Sequence, residues 1–268
     1  MPTVSYRGRA IEYELHGSGK ATPLVLATGT GGSFKGWLPL QVPEFAKRGR
    51  VVLFNHRGVG ASDDDGKAFS TSDLADDMVG LLDALQIAQA DVLGAFMGGM
   101  AAQELALRHP ARVRRLVLTG TYARADAKRQ MLLDHWASLA ARGFAMDAMV
   151  RERMLWSLQD ETLAQRDLID GMIAYLSKGQ VPMTADLLAR QCMACMEHDT
   201  YDRLRDLAHA TLVISGRHDQ LTPPRFLREL ADEMPNARLV TIRFAAHLVM
   251  VEAAERFNQL VVDFLDEK

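Results

Sequence analysis

Two polar residues stand where a carboxylate and an imidazole could work together. Asp219 lies in Gly216-Arg217-His218-Asp219-Gln220-Leu221-Thr222-Pro223, and His247 in Ala245-Ala246-His247-Leu248-Val249-Met250-Val251-Glu252. A lone Asp or His on a loop is ordinarily a solvated surface residue. Here each follows one of two consecutive late strand-like runs, a placement that favours a paired site. In such a pair the carboxylate fixes the imidazole tautomer and stabilises its protonated form. Cys192, Cys195 and His198 have helical spacing, but a structural metal site needs four ligands and no matching second pair exists. No metal is expected. The glycine-rich Gly29-Thr30-Gly31-Gly32 lacks both the Gly-x-Gly-x-x-Gly spacing and the lysine of a phosphate loop, so no organic cofactor is expected either.

The elements that must position these residues show in the hydrophobic pattern. Arg7-Gly8-Arg9 separates two alternating segments and suggests a hairpin. Residues 23–27 and 51–54 are apolar without interruption, as suits strands of a parallel sheet covered on both faces. Strands also read at 91–93, 113–118, 211–214 and 238–242. Residues 72–85 carry Leu74, Met78, Leu81, Leu82 and Leu85 on one helical stripe. Ser72 or Asp73 could cap that helix, and Asp76 and Asp77 could complement its dipole. An Ala-rich helix at 98–108 is stopped by Pro110. The closing helix places Phe257, Leu260, Val261 and Phe264 on one face. Between about 121 and 206 the strand signal vanishes. That stretch holds eight of the fourteen methionines, with Trp136 and Trp156. The expected organisation is an α/β core over 1–120 and 206–268, a mostly parallel doubly wound sheet, with an inserted helical cap over 121–205.

The motifs have a family resemblance. Gly94-Ala95-Phe96-Met97-Gly98, between strand and helix, resembles the nucleophile elbow Gly-x-Ser-x-Gly at every position except the serine. Thr28-Gly29-Thr30-Gly31-Gly32 resembles the loop that lends an N–H to an oxyanion hole, with Thr28 where a histidine is more usual. Asn55-His56-Arg57-Gly58-Val59-Gly60-Ala61-Ser62 resembles a structural turn in which Asp is usual at the Asn55 position. With the Asp219 and His247 loops, the order is elbow, acid, histidine. The chain is identified as a member of the α/β-hydrolase fold superfamily, similar to its esterases and enol-lactonases. The resemblance implies Asp219 as catalytic acid, His247 as catalytic histidine and Phe96 at the nucleophile position. It implies an oxyanion hole from the N–H groups of Thr30 and Met97. Thr28, Trp136, Trp156 and Leu248 are candidates to line the pocket.

Phenylalanine has no nucleophilic atom, so the covalent acyl route is closed. Ser33 and Ser62 lie in other loops and do not replace it. Three readings follow: an enzyme using His247 and Asp219 as a non-covalent acid/base pair on a small, mostly apolar carbonyl compound; a serine hydrolase inactivated by substitution; or a non-catalytic receptor for a small molecule. A formal charge of −3 gives no reason to expect nucleic acid or an anionic membrane, and no apolar run is long enough for a span. The amino terminus lacks the segments of a secretion signal and two cysteines make no disulfide framework, so a cytoplasmic location is expected.

Overall fold

A computed structural model describes residues 2–177 and 184–267. Met183, among the methionines noted above, lies outside the described residues. Eight strands form one sheet: β1 (Thr3–Tyr6), β2 (Arg9–His16), β3 (Leu24–Ala27), β4 (Val51–Phe54), β5 (Ala90–Ala95), β6 (Val113–Thr119), β7 (Ala210–Gly216) and β8 (Ala237–Ile242). Their spatial order is β1-β2-β4-β3-β5-β6-β7-β8. β2 runs antiparallel to β1 and β4, and the rest pair in parallel. Arg7 and Gly8 turn the β1–β2 hairpin with φ of 50° and 78°, the left-handed pair that a two-residue hairpin loop needs.

The uninterrupted apolar runs arise because both faces of the sheet are covered. Successive side chains of a strand point to opposite faces. Val25, Val52, Phe54, Val92, Leu116 and Val213 therefore join one core, while Leu24, Leu26, Val51, Leu53, Leu93 and Val117 join the other. The helices are α1 (Val42–Arg48), α2 (Thr71–Ala84), α3 (Met97–Arg108), α4 (Ala127–Ala141), α5 (Met146–Ser157), α6 (Asp160–Leu163), α7 (Arg166–Ser177), α8 (Ala185–Glu197), α9 (Pro224–Glu233), α10 (Val249–Glu252) and α11 (Ala254–Asp266). Leu74, Met78 and Leu81 of α2 and Phe226, Leu227 and Leu230 of α9 enter the first core, whereas Phe45 of α1 and Phe257, Val261 and Phe264 of α11 enter the second. Each such buried side chain contributes about 1.5–3 kcal/mol. Helices α4–α8 all fall between β6 and β7, and no strand interrupts them among the described residues. No described helix is long and apolar enough to cross a membrane.

Helix α2 begins differently from the sequence expectation. Its cap is Ser70, whose hydroxyl accepts from Asp73 N–H at 3.2 Å while Ser70 N–H donates to the Asp73 carboxylate at 2.8 Å. This reciprocal box satisfies two otherwise orphaned donors, which a cap at Ser72 or Asp73 would not. Asp76 and Asp77 sit beyond the first turn and serve ion pairs instead, Asp76 with Arg108 and Asp77 with Arg9 and Arg57.

Candidate active site

The carboxyl ends of the parallel strands carry the loops of interest, so sheet register sets their spacing. Phe96 stands in the turn from β5 into α3 with φ 46° and ψ −113°. For a bulky L residue this backbone costs on the order of 1–3 kcal/mol. It is held by surrounding bonds: Phe96 N–H donates to Thr119 O at 3.1 Å, and Thr121 Oγ1 donates to Phe96 O at 2.9 Å. The glycines allow the tight approach. A Cβ on Gly98 would lie 2.3 Å from the carbonyl oxygen of Ala27, an impossible contact. The Phe96 ring is 4% exposed and meets two rings edge-on, Tyr122 at 6.0 Å and His247 at 5.5 Å between centroids.

Asp219 and His247, far apart in sequence, come together. His247 Nδ1 lies 3.0 Å from Asp219 Oδ2. The same carboxylate accepts from Thr222 Oγ1 at 2.7 Å and from Thr222 N–H at 2.8 Å. Asp219 is 5% exposed and His247 8%. A buried carboxylate with three donors is fully engaged, and donation from Nδ1 leaves Nε2 as the free ring nitrogen. No acceptor or donor for Nε2 occurs among the described residues, and His247 lines a cavity. Thr222 is a functional neighbour that the Asp219 motif alone does not assign. Its spacing of three after an aspartate, a local side-chain-to-backbone turn, was the available signal. The His247 loop is braced as well: Ala246 N–H donates to Glu252, and Leu248 N–H to Ser157 O at 3.1 Å.

Opposite lies the loop after β3. Thr28 is clasped by Trp37, whose Nε1 donates to Thr28 Oγ1 at 3.0 Å, and by His56, whose Nε2 donates to Thr28 O at 3.0 Å. Burial pushes the His56 pKa down to about 4, so the ring is neutral near pH 7. Asn55 is used at both ends, accepting from Phe34 N–H at 2.9 Å and donating to Glu12 at 2.7 Å. An aspartate at that position could accept but not donate. Met97 is the first residue of α3, so its N–H has no intrahelical acceptor, and that of Thr30 meets no acceptor among the described residues. Ser33 caps a short turn, and Ser62 is buried against Asn55 O and Glu12 N–H, so neither stands at the elbow.

The cavity, about 1130 Å3, lies between these loops and helices α5, α7 and α8. Thr28, Thr30, Phe96, Trp136, His247 and Leu248 line it, together with Met149, Met154, Met172 and Met250. Trp156 does not. It turns away, its indole N–H on Glu152 at 3.3 Å and its ring beneath Lys128, because α5 presents Arg153 and Met154 to the cavity instead. Cys192 and Cys195 are free thiols buried in α8, and burial pushes Cys192 up to about 12. Cys195 Sγ contacts Thr30 Oγ1 at 3.3 Å. His198 hydrogen-bonds Thr71, away from both thiols. Two residues that the sequence reading missed also reach the Thr30 loop. Arg153 donates to Thr30 O, and Gln191 Oε1 accepts from Gly31 N–H at 2.7 Å.

Comparison with known proteins bears on the fold. A family model described as the α/β hydrolase fold matches residues 22–254. A 2-hydroxymuconate semialdehyde hydrolase of Pseudomonas sp. (strain CF600) is 33% identical over 276 residues, covering 96% of this chain and 91% of the relative. The enol-lactonase from Burkholderia xenovorans LB400 superposes with a TM-score of 0.90 at 30% identity, covering 99% of this chain and 100% of that one. MGS-M2, an α/β hydrolase enzyme from a Medee basin deep-sea metagenome library, shares the fold with a TM-score of 0.93 at 24% identity, covering 100% of this chain and 98% of that one. With its sheet order and the loops carried at the strand ends, the chain belongs to the α/β-hydrolase fold family.

Proposed function

We propose that this chain is an enzyme that works without a covalent nucleophile, using His247 and Asp219 as a general acid/base pair on a small, mostly apolar carbonyl compound. The observation that carries the reading is the intact His247–Asp219 bond at 3.0 Å facing a cavity in which residue 96 offers only a phenyl ring. With Nδ1 committed to Asp219, Nε2 takes a proton, either from a carbon beside the substrate carbonyl or from a water that then attacks it. The negative charge that develops on the carbonyl oxygen is received by the N–H groups of Thr30 and Met97. Asp219 holds the imidazolium that forms. The Phe96 ring sets an apolar face beside His247, which lowers the local polarity and strengthens these interactions. Two relatives, named as an enol-lactonase and a 2-hydroxymuconate semialdehyde hydrolase, support a carbonyl substrate. No cofactor or metal enters this scheme.

The decisive test is His247→Ala assayed against the best substrate from a panel of lactones, enols and keto compounds. The reading expects turnover to drop on the order of 100-fold or more. Unchanged turnover would end it.

A second reading is favoured by the Phe96 backbone. Its φ of 46° keeps the strained elbow that would present a serine, although phenylalanine draws no chemical benefit from it. On this reading the chain is a serine ester or lactone hydrolase silenced at one residue. Fluorophosphonate labelling of Phe96→Ser followed by intact mass separates the two. One adduct at position 96 supports the silenced hydrolase, and a folded variant that stays unlabelled supports a site rebuilt around Phe96.

A further inference from the structure

We propose that Arg153 is a carboxylate-binding, specificity-determining residue, so that the compound entering the cavity carries an acid group a few bonds from its reacting carbonyl. The proposal rests on the reading above for where that carbonyl lies.

Arg153 projects from α5 into the cavity lining. Its guanidinium donates to Thr30 O and lies 5.8 Å from the centre of the Trp136 ring. Among the described residues no carboxylate pairs with it, although three other arginines of α4–α8 each have one. Arg129 has Asp126 at 3.5 Å, Arg151 has Asp170 at 3.6 Å, and Arg190 has Asp186 at 2.8 Å. The contrast matters because Arg151 is well exposed and could do without a partner, whereas Arg153 is desolvated enough that burial pushes its pKa down. Arg153 is half-buried at the cavity wall, so a carboxylate reaching it would be less screened than at an exposed site. The protein supplies one backbone carbonyl and an aromatic face and leaves the rest of the fork open.

The surroundings select the partner. Glu12 lines the far side of the cavity, but its carboxylate already accepts from Asn55 at 2.7 Å and from Ala61 N–H at 2.7 Å. Met149, Met154, Leu188 and Leu248 make much of the remaining wall apolar. Lys35 is the other cation of the lining, but only the planar fork of Arg153 matches a group with two coplanar oxygens, which arginine binds bidentately. The loop is shaped for the arginine: a Cβ on Gly31 would lie 2.2 Å from Nη1. The spacing follows from the backbone. Arg153 holds the carbonyl of Thr30, the residue whose N–H would receive the reacting oxygen, so the acid group and the reacting carbonyl meet the same loop, within a few bonds of each other.

The test is calorimetric titration of the intact protein with benzoylformate, with its methyl ester and with 4-benzoylbutyrate, an acid whose ketone is further away. Benzoylformate is expected to bind on the order of tenfold tighter than either. Arg153→Met should abolish the preference while leaving ester affinity in place, and Arg153→Lys should retain part of it. Equal binding of benzoylformate and its ester, no binding of any probe, or an equal loss for acid and ester in a folded Arg153→Met protein would overturn the proposal. Equal affinity for the two acids would overturn the short spacing. Binding does not require proton transfer, so the same titrations on His247→Ala distinguish the two failures. A preference that survives there while turnover proves independent of His247 sinks the catalytic reading alone.

Discussion

The Asp219 loop and the helices above it treat polar atoms differently. Around Asp219 the bonding is complete: Thr222 donates twice, His247 once, and Ala246 N–H is bound by Glu252. Buried polar atoms without a hydrogen-bond partner include Trp136 Nε1, Gln191 Nε2 and Nη1 of Arg129 in the helices, with His56 Nδ1 and Thr119 Oγ1 at other strand ends. The difference separates two tasks. On the proposed reading the loops would hold a proton at one defined atom, which requires every competing bond to be fixed. On the same reading the helices would meet the variable part of a ligand, which requires spare bonding capacity.

The comparison breaks first if the loops do not carry the chemistry. His247→Ala and Asp219→Asn should each cut turnover, by about 100-fold or more for the histidine and somewhat less for the aspartate, with little change in unfolding temperature. A loss of stability matching the loss of rate would mean that the pair is structural. Next is Trp136→Ala on the helical side. The ring is 1% exposed, and its removal should cost about 3–5 kcal/mol in denaturant unfolding. A cost below about 1 kcal/mol would show that these helices contribute little packing.

A smaller effect sharpens the loop side. His56 is held neutral with its pKa lowered from 6.5 to about 4. The unfolded chain therefore takes up the proton first as pH falls. The stabilisation is complete above pH 6.5 and is lost progressively toward pH 4, by about 2 kcal/mol at pH 5. Urea unfolding between pH 7 and 5 should show this slope, and His56→Gln should flatten it. The smallest effect belongs to Gln191→Leu, which removes the acceptor for Gly31 N–H at a cost of about 1 kcal/mol. Amide exchange at Gly31 should quicken while exchange in the Asp219 loop stays as it was.

Legibility in the sequence divides along the same line. Strands β3 and β4 could be read because burial on both faces leaves an unbroken apolar run. The elbow, the acid loop and the histidine loop could be read because each is a short local motif with glycine or turn chemistry. Local chemistry also misled once: Ser72 and Asp73 were plausible caps, but Ser70 makes the reciprocal bond with Asp73. The helical side resisted. Trp156 was named for the pocket on composition, whereas Arg153, three residues earlier on the same helix, is the one that faces it. Which face of α5 turns inward depends on contacts with Thr30, far away in sequence, and periodicity on one helix cannot reveal them. Gln191 and Cys195 were hidden for the same reason, since their partners are Gly31 and Thr30.

Those fastenings bear on how the molecule is assembled. The Thr30 loop is tied to Arg153, Gln191 and Cys195 across 123, 160 and 165 positions of chain. Closing loops of that length carries an entropic cost that must be met before the contacts reward it, and contacts so distant in sequence form late. The loop emerges among the first segments during synthesis, yet it cannot take its final shape until α8 has been made and has docked. A half-built chain can pair β3 with β4 and β5 and still lack the finished Thr30 loop, so the proposed receptor for a negatively charged oxygen would arrive only with the docking of the helices.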